Sequence, residues 1–237
     1  MREQLLAWFE SNGRDLPWRR TRDPYAILVS ETMLQQTQVS RVVPRYLAWL
    51  QRWPTIAALA AAPVGDPIRT WQGLGYNRRA VNLHRAARIV AEEGWPRDLT
   101  TLPGVGTYTA AAVACFSFGA DVLPEDVNVR RVLERTGARF GAECAQALMD
   151  LGATVCLARV PRCGACPLAA SCPARGRRYA PLRKQTRFEG SFRQRRARVL
   201  RRVAEMPRPL PSLDRDAVES LRSDGLVAVD GGFVSLP

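Results

Sequence analysis

Four of the six cysteines fall within seventeen residues, spaced Cys156-x6-Cys163-x2-Cys166-x5-Cys172. Pro161, Gly164, Pro167 and Pro173 interrupt the segment. It therefore cannot run as a long helix or strand, and it folds as turns that gather the thiols. Four thiolates so placed suit a metal centre. Zinc sites usually pair two Cys-x2-Cys knuckles, whereas one thiolate here stands six residues upstream, which favours an iron–sulfur cluster and leaves zinc as the alternative. Disulfides would need an oxidising compartment, and the N-terminus, Met1 to Glu10, carries neither an apolar signal core nor a small-residue cleavage site. Cys115 and Cys144 read as plain thiols.

Around this segment the pattern is helical. With 46% hydrophobic and 24% charged residues, the chain has ordinary globular composition. Leu5, Leu6, Trp8 and Phe9 mark a first amphipathic helix. Asp23-Pro24 opens a second, reaching Leu34. Further helices are expected over Val39–Trp53, Ile56–Leu59 with Thr55 as cap, Val64–Trp71, Asn77–Glu93, Thr107–Phe118, Val127–Arg139 and Cys144–Leu157. The sole histidine, His84, is expected on the polar face of the Asn77–Glu93 helix, and having only one makes a Ser-His or Cys-His hydrolase improbable. Beyond residue 190 two helices, Phe192–Glu205 and Asp214–Arg222, precede two short strands, Leu226–Val229 and Phe233–Ser235, around Asp230-Gly231-Gly232. This end is winged-helix-like.

The formal charge is +13, and residues 174–208 hold 13 basic side chains against 2 acidic ones. Nearly all are arginine, whose fork matches phosphate oxygens. A polyanion, most simply nucleic acid, is the partner this implies.

Leu102-Pro103-Gly104-Val105-Gly106-Thr107-Tyr108-Thr109-Ala110 places two glycines immediately before a helix start. Backbone N–H groups can approach an anion there, and the helix N-terminus adds a favourable field. Val29–Gln38 sets Glu31 and several amides beside an apolar face, and Glu125–Val132 sets an acid at the start of another helix. One carboxyl in an apolar pocket with a second in a polar setting is a pair suited to cleaving a glycosidic bond.

Together these segments resemble the helix-hairpin-helix DNA glycosylases that carry a [4Fe–4S] cluster, the endonuclease III superfamily. The resemblance spans about residues 1–178. Asp15–Arg19, Ser30–Thr37, Gly73–Tyr76 and Leu148–Gly152 are most similar to the MutY-type adenine glycosylase branch. It implies an all-α, two-lobed fold with an iron–sulfur loop and the winged-helix-like tail. The implied domains are a discontinuous cluster-bearing domain (1–20 and 127–178), a hairpin-bearing domain (21–126) and a basic C-terminal segment (179–237). The implied activity is monofunctional base excision, hydrolysing the N-glycosidic bond of adenine flipped out opposite 8-oxoguanine or G.

Carried over by position, Glu31 is the acid that protonates adenine N7, and Asp126 stabilises the oxocarbenium-like sugar. Tyr108 stands where bifunctional relatives have a Schiff-base lysine. Trp18, Arg19 and Asp150 wall the base pocket. Gln36 and Tyr76 wedge into the opened stack, and Gly104, Val105 and Gly106 grip a phosphate. Arg193, Arg195 and Arg196 are expected to face DNA, and Cys156, Cys163, Cys166 and Cys172 to hold the [4Fe–4S] cluster. Mismatched or oxidised double-stranded DNA is the implied partner of a cytoplasmic, nucleoid-associated monomer with no membrane association.

The chain departs from the branch at three places. Residues 179–237 are too few for the Nudix-like domain that usually follows. Only ten residues separate Arg135 from Gln146, where the family has further helices. Glu125 stands where an apolar residue is usual. Two alternatives accompany the adenine reading: a thymine or uracil glycosylase acting on G mismatches, and a non-catalytic DNA-binding relative.

Overall fold

Short polar caps and glycine stops cut the apolar periodicity into helices in the computed structural model, which describes residues 1–180 and 187–237. The helices are α1 (Arg2–Asn12), α2 (Pro24–Leu34), α3 (Val39–Arg52), α4 (Ile56–Ala61), α5 (Gly65–Thr70), α6 (Arg78–Glu93), α7 (Thr107–Phe118), α8 (Val127–Thr136), α9 (Ala145–Thr154), α10 (Phe192–Glu205) and α11 (Arg215–Ser223). Residues 181–186, part of the expected basic segment, lie outside the described residues. Thr55 caps α4 by accepting the Ala58 N–H at 3.1 Å, and Asp214 caps α11 by accepting the Ala217 N–H at 2.9 Å. In α3 the buried Val42, Tyr46 and Trp49 recur at helical spacing along one stripe.

Two helices stop earlier than the pattern implies. α8 ends at Gly137, whose φ of 66° is left-handed, rather than at Arg139. α9 ends at Thr154 rather than Leu157, because the N–H groups of Val155 and Cys156 both turn back to the Leu151 carbonyl. That turn releases Cys156 from the helix.

The chain divides into two compact units, Met1–Ile27 with Gly106–Lys184, and Leu28–Val105 with Gln185–Pro237. In the first, Leu5 of α1 packs with Val129 and Val132 of α8, Leu148 and Leu151 of α9, and Leu168. In the second, Ile68 and Val81 join Val199, Leu200 and Val203 of α10, Val218 and Leu221 of α11, and Leu226 and Val234 in a single core. The C-terminal segment is thus packed onto α5 and α6.

A three-stranded antiparallel sheet closes this segment: β1 (Arg208–Pro209), β2 (Ala228–Asp230) and β3 (Phe233–Ser235), in the order β1-β3-β2. Val234 of β3 lies opposite both Val229 and Arg208. Gly231 and Gly232 turn the hairpin with positive φ at both residues, as a type I′ turn requires. β1 is too short to leave a period in the sequence. Leu226 and Val227, expected to begin a strand, are buried in the core ahead of β2.

His84 corrects an expectation. It is buried within α6, not on a polar face, and its Nε2 lies 2.8 Å from the Ala62 carbonyl. A carbonyl only accepts, so Nε2 carries the proton. Burial, with Arg88 and Arg85 nearby, holds the imidazole below its ordinary pKa despite this bond. Among the described residues no helix is long and apolar enough to cross a membrane.

Candidate active site and cysteine centre

In the first unit several of the candidate side chains lie on or against α8 and α9. Asp126 is the N-cap of α8 and half-buried. Its Oδ1 accepts the N–H groups of Asn128 (2.8 Å) and Val129 (2.7 Å), and its Oδ2 accepts the Asn128 side-chain amide (2.8 Å). The Asn128 Oδ1 in turn accepts Arg131 Nη2 at 2.8 Å, and Arg131 also donates to the carbonyls of Gly152 (2.7 Å) and Cys156 (2.8 Å). A short chain of bonds therefore runs from the Asp126 carboxylate to the backbone of a cysteine. Gly152 makes this possible, since a Cβ there would sit 2.8 Å from the Asn128 Cβ.

Asp150 is fully buried. Arg19 binds it through both oxygens, at 2.6 and 2.9 Å, and Arg14 adds a side-chain and a backbone bond, both at 2.8 Å. Burial alone would raise the Asp150 carboxyl, but the Arg19 and Arg14 bonds outweigh it and hold the group below its ordinary value. Buried Trp18 sits beside Arg19 on the 3-10 turn Pro17–Arg19. Tyr108, half-buried, lies in the first turn of α7, whose cap residue Gly106 offers no side chain.

The four clustered cysteines are free thiols, each half-buried. They line one pocket, open to solvent, whose walls include Val132, Leu151 and Val155. The Gly176 N–H points at the Cys163 sulfur at 3.3 Å, and Arg135 lies 3.5 Å from that of Cys156. Arg135 also donates to the carbonyls of Leu157 and Ala158 and stacks on Tyr179 at 3.8 Å. Among the described residues no three ligating side chains close on one point as a single ion demands. The pocket ringed by four sulfurs with N–H donors and apolar walls fits a group bound through thiolates.

In the second unit Glu31 is buried in α2, flanked by buried Ser30 and Thr32. Gln36 and Tyr76 are exposed and have left-handed φ values of 55° and 47°. Gly104 has φ of 78°, and a Cβ there would lie 2.8 Å from the Asn82 Cβ, so only glycine fits. Val105 is buried and anchors the hairpin, its N–H bonded to the Leu102 carbonyl. Arg193 lies half-buried near the start of α10. Arg195 pairs with Asp214 at 2.9 Å, and Arg196 bonds Asp224 and Ser220. These two guanidinium groups tie α10 to the two ends of α11, and Arg195 remains exposed.

Sequence reasoning missed Arg14, Asn128, Arg131, Arg135 and Arg79. For Arg79 a signal exists: it shares the stripe of buried Leu83, Ala86 and Val90 on α6, where an arginine is out of place.

A family model described as the HhH-GPD superfamily base excision DNA repair protein matches residues 29–151. An adenine DNA glycosylase of Mycolicibacterium smegmatis is 42% identical over 280 aligned residues, covering 97% of this chain and 94% of the relative. One of Mycobacterium tuberculosis is 44% identical, with 97% and 91% covered. Among solved structures, a thermostable thymine-DNA glycosylase superposes with a TM-score of 0.65 at 30% identity, covering 72% of this chain and 93% of that one.

Proposed function

The chain belongs to the HhH-GPD superfamily of base excision DNA repair proteins, and from that premise we propose that it is a monofunctional adenine DNA glycosylase acting on adenine opposite 8-oxoguanine or G. The observation that carries this is the similarity to adenine glycosylases along 97% of the chain. The match to the superfamily takes in Glu31, Asp126 and Asp150. The solved thymine-DNA glycosylase is less similar, at 30% identity over 72% of the chain, and it favours the fold rather than a second substrate.

DNA binds with the hairpin Gly104-Val105-Gly106 on a phosphate and with Gln36 and Tyr76 in the opened stack. Arg193, at the start of α10, faces the backbone. The flipped adenine sits against Trp18 and Arg19, with Asp150 behind them holding the Arg19 guanidinium. Glu31 donates a proton to N7, and the C1′–N9 bond breaks with its electron pair leaving on the base. Asp126 stabilises the oxocarbenium-like sugar, its carboxylate aimed by Asn128 and the α8 N–H groups. Water adds to C1′, its proton passes to Glu31, and adenine and an abasic site result. Tyr108 cannot form an imine with C1′, so the strand stays intact.

Cys156, Cys163, Cys166 and Cys172 would hold a [4Fe–4S] cluster, which supplies a structural anchor and a local charge rather than a step of the hydrolysis. Arg135 and the Gly176 N–H would support its sulfurs.

Single-turnover base release on duplexes with A opposite 8-oxoguanine, A opposite G, T opposite G and U opposite G tests the assignment. The expected result is release from the two adenine duplexes, abolished in Glu31→Gln with DNA binding retained. Release only of T or U would move the enzyme to the mismatch branch. Binding without release from any duplex would leave the non-catalytic relative.

A further inference from the structure

Arg79 lies in the first turn of α6 with its guanidinium buried. Its Nη1 donates to the carbonyls of Thr32 (2.7 Å), Met33 (3.0 Å) and Gln35 (2.7 Å), which close α2 and begin the loop after it. Its Nη2 donates to Thr37 Oγ1 (3.1 Å) and the Gly75 carbonyl (3.0 Å), and its Nε to the Tyr76 carbonyl (3.4 Å). The Trp71 ring lies 5.2 Å from the guanidinium carbon and that of Tyr76 5.6 Å. Trp71 Nε1 also donates to the Gly75 carbonyl.

No carboxylate among the described residues comes within ion-pair distance of Arg79. Burial lowers its pKa to about 10, which leaves it charged at neutral pH. A buried cation compensated by main-chain carbonyls, one hydroxyl and two rings, with no carboxylate, is an expensive way to join two loops. Neutral side chains could fill this space at less cost.

The two loops so joined carry Gln36 and Tyr76, and among the described residues these are the non-glycine residues with positive φ. That conformation is strained for an L-residue and persists only where the surroundings over-determine it. Each is next to an acceptor of Arg79 or is one itself: Gln36 lies between Gln35 and Thr37, and Tyr76 follows Gly75. Both side chains are exposed, while the carbonyls of Gln35, Gly75 and Tyr76 are held from the buried side by Arg79.

We propose that Arg79 is a positioning residue that sets Gln36 and Tyr76 as a rigid pair, so that the duplex meets a strand-opening wedge already formed. This rests on the reading of the chain as a DNA glycosylase that opens the stack with those two residues. The same bonds restrain the end of α2, which carries Glu31 one residue before Thr32. The planar fork is needed because five donors must reach two loops at once. Lysine keeps the charge but has three donors on one nitrogen.

The test compares the wild type with Arg79→Lys on two substrates, adenine paired opposite 8-oxoguanine and adenine opposite an abasic-site analogue. Pre-opening the second substrate removes the need for a wedge. A small misplacement of a positioned group costs up to about a hundredfold in rate, so the lysine variant is expected to lose tenfold or more on the paired substrate. On the pre-opened substrate it should stay within roughly threefold of wild type. Thr37→Val, which removes one partner and leaves Arg79 in place, should shift the same ratio less. Unstacking of 2-aminopurine beside the target on binding gives a readout independent of base release. It should be strong in the wild type and weak in Arg79→Lys. Equal losses on both substrates, or unchanged 2-aminopurine unstacking in both variants, would overturn the proposal. A wild type that neither releases adenine nor unstacks 2-aminopurine would instead overturn the glycosylase reading.

Discussion

Asp150 shows how a single buried residue can act as a keystone. Its carboxylate has no exposure and satisfies two arginines, Arg14 and Arg19, that are themselves largely withdrawn from water. Removing the charge leaves two guanidinium groups facing an amide, and breaking one partner of a buried pair costs about 3–5 kcal/mol. Asp150→Asn is therefore expected to lower stability by about 3 kcal/mol in urea melts at pH 7. The pH dependence has a definite sign. The carboxyl sits below its ordinary value in the folded protein, so its stabilisation is complete above about pH 4, where the unfolded chain has ionised. It fades as pH falls through the lower folded value. The gap between wild type and Asp150→Asn should be constant from pH 5 to 8 and close in stronger acid. A gap that instead closes on raising the pH would contradict the ion-pair account. The sequence showed Asp150 only through its family segment. Its partner Arg14 lies 136 positions away, and no spacing rule reaches that far.

At the level of elements, the packing of α8 against α9 sets the site. Gly152 lets α9 approach so closely that an added methyl would stand 2.8 Å from the Asn128 Cβ and 2.9 Å from its carbonyl oxygen. Gly152→Ala is expected to destabilise by about 1–3 kcal/mol through overpacking. It should also slow base release, because Asn128 is what aims Asp126. The helices themselves were legible in the sequence because their signals are local: the Thr55 and Asp214 caps and the apolar stripe of α3. What could not be read was anything that depends on a turn's exact exit. α9 stops three residues early to free Cys156, and α8 stops at Gly137, though the helix-like pattern continues. The buried placement of His84 was misjudged for a related reason. Arg85 and Arg88 beside it suggest a wet face, while the carbonyl that receives its proton comes from Ala62, 22 positions back. That the four cysteines gather at one pocket was legible because their spacing and the intervening prolines act locally.

Across the molecule the net charge of +13 implies binding that weakens steeply with salt. The arginines of α10 divide into two kinds. Arg195 and Arg196 carry ion pairs within the fold, Arg195 remaining exposed, whereas among the described residues the exposed Arg198 and Arg201 carry none. Replacing Arg198 and Arg201 with glutamine should flatten the plot of log affinity against log salt by roughly two, about 0.9 for each phosphate that is no longer neutralised. Arg195→Gln should leave the slope nearly unchanged and lower the melting temperature instead. Equal slopes for all variants would remove α10 from the DNA surface. The core that Val81 of α6 shares with Leu200, Leu221 and Val234 has a kinetic meaning as well. Amide protons in α6 and in the C-terminal segment should exchange together, at one opening free energy, as a single cooperative unit. A protease that cuts within α10 at the buried Leu200 would then gain access only when α6 opens too, so residues separated by more than a hundred positions would be lost from the folded population in the same event.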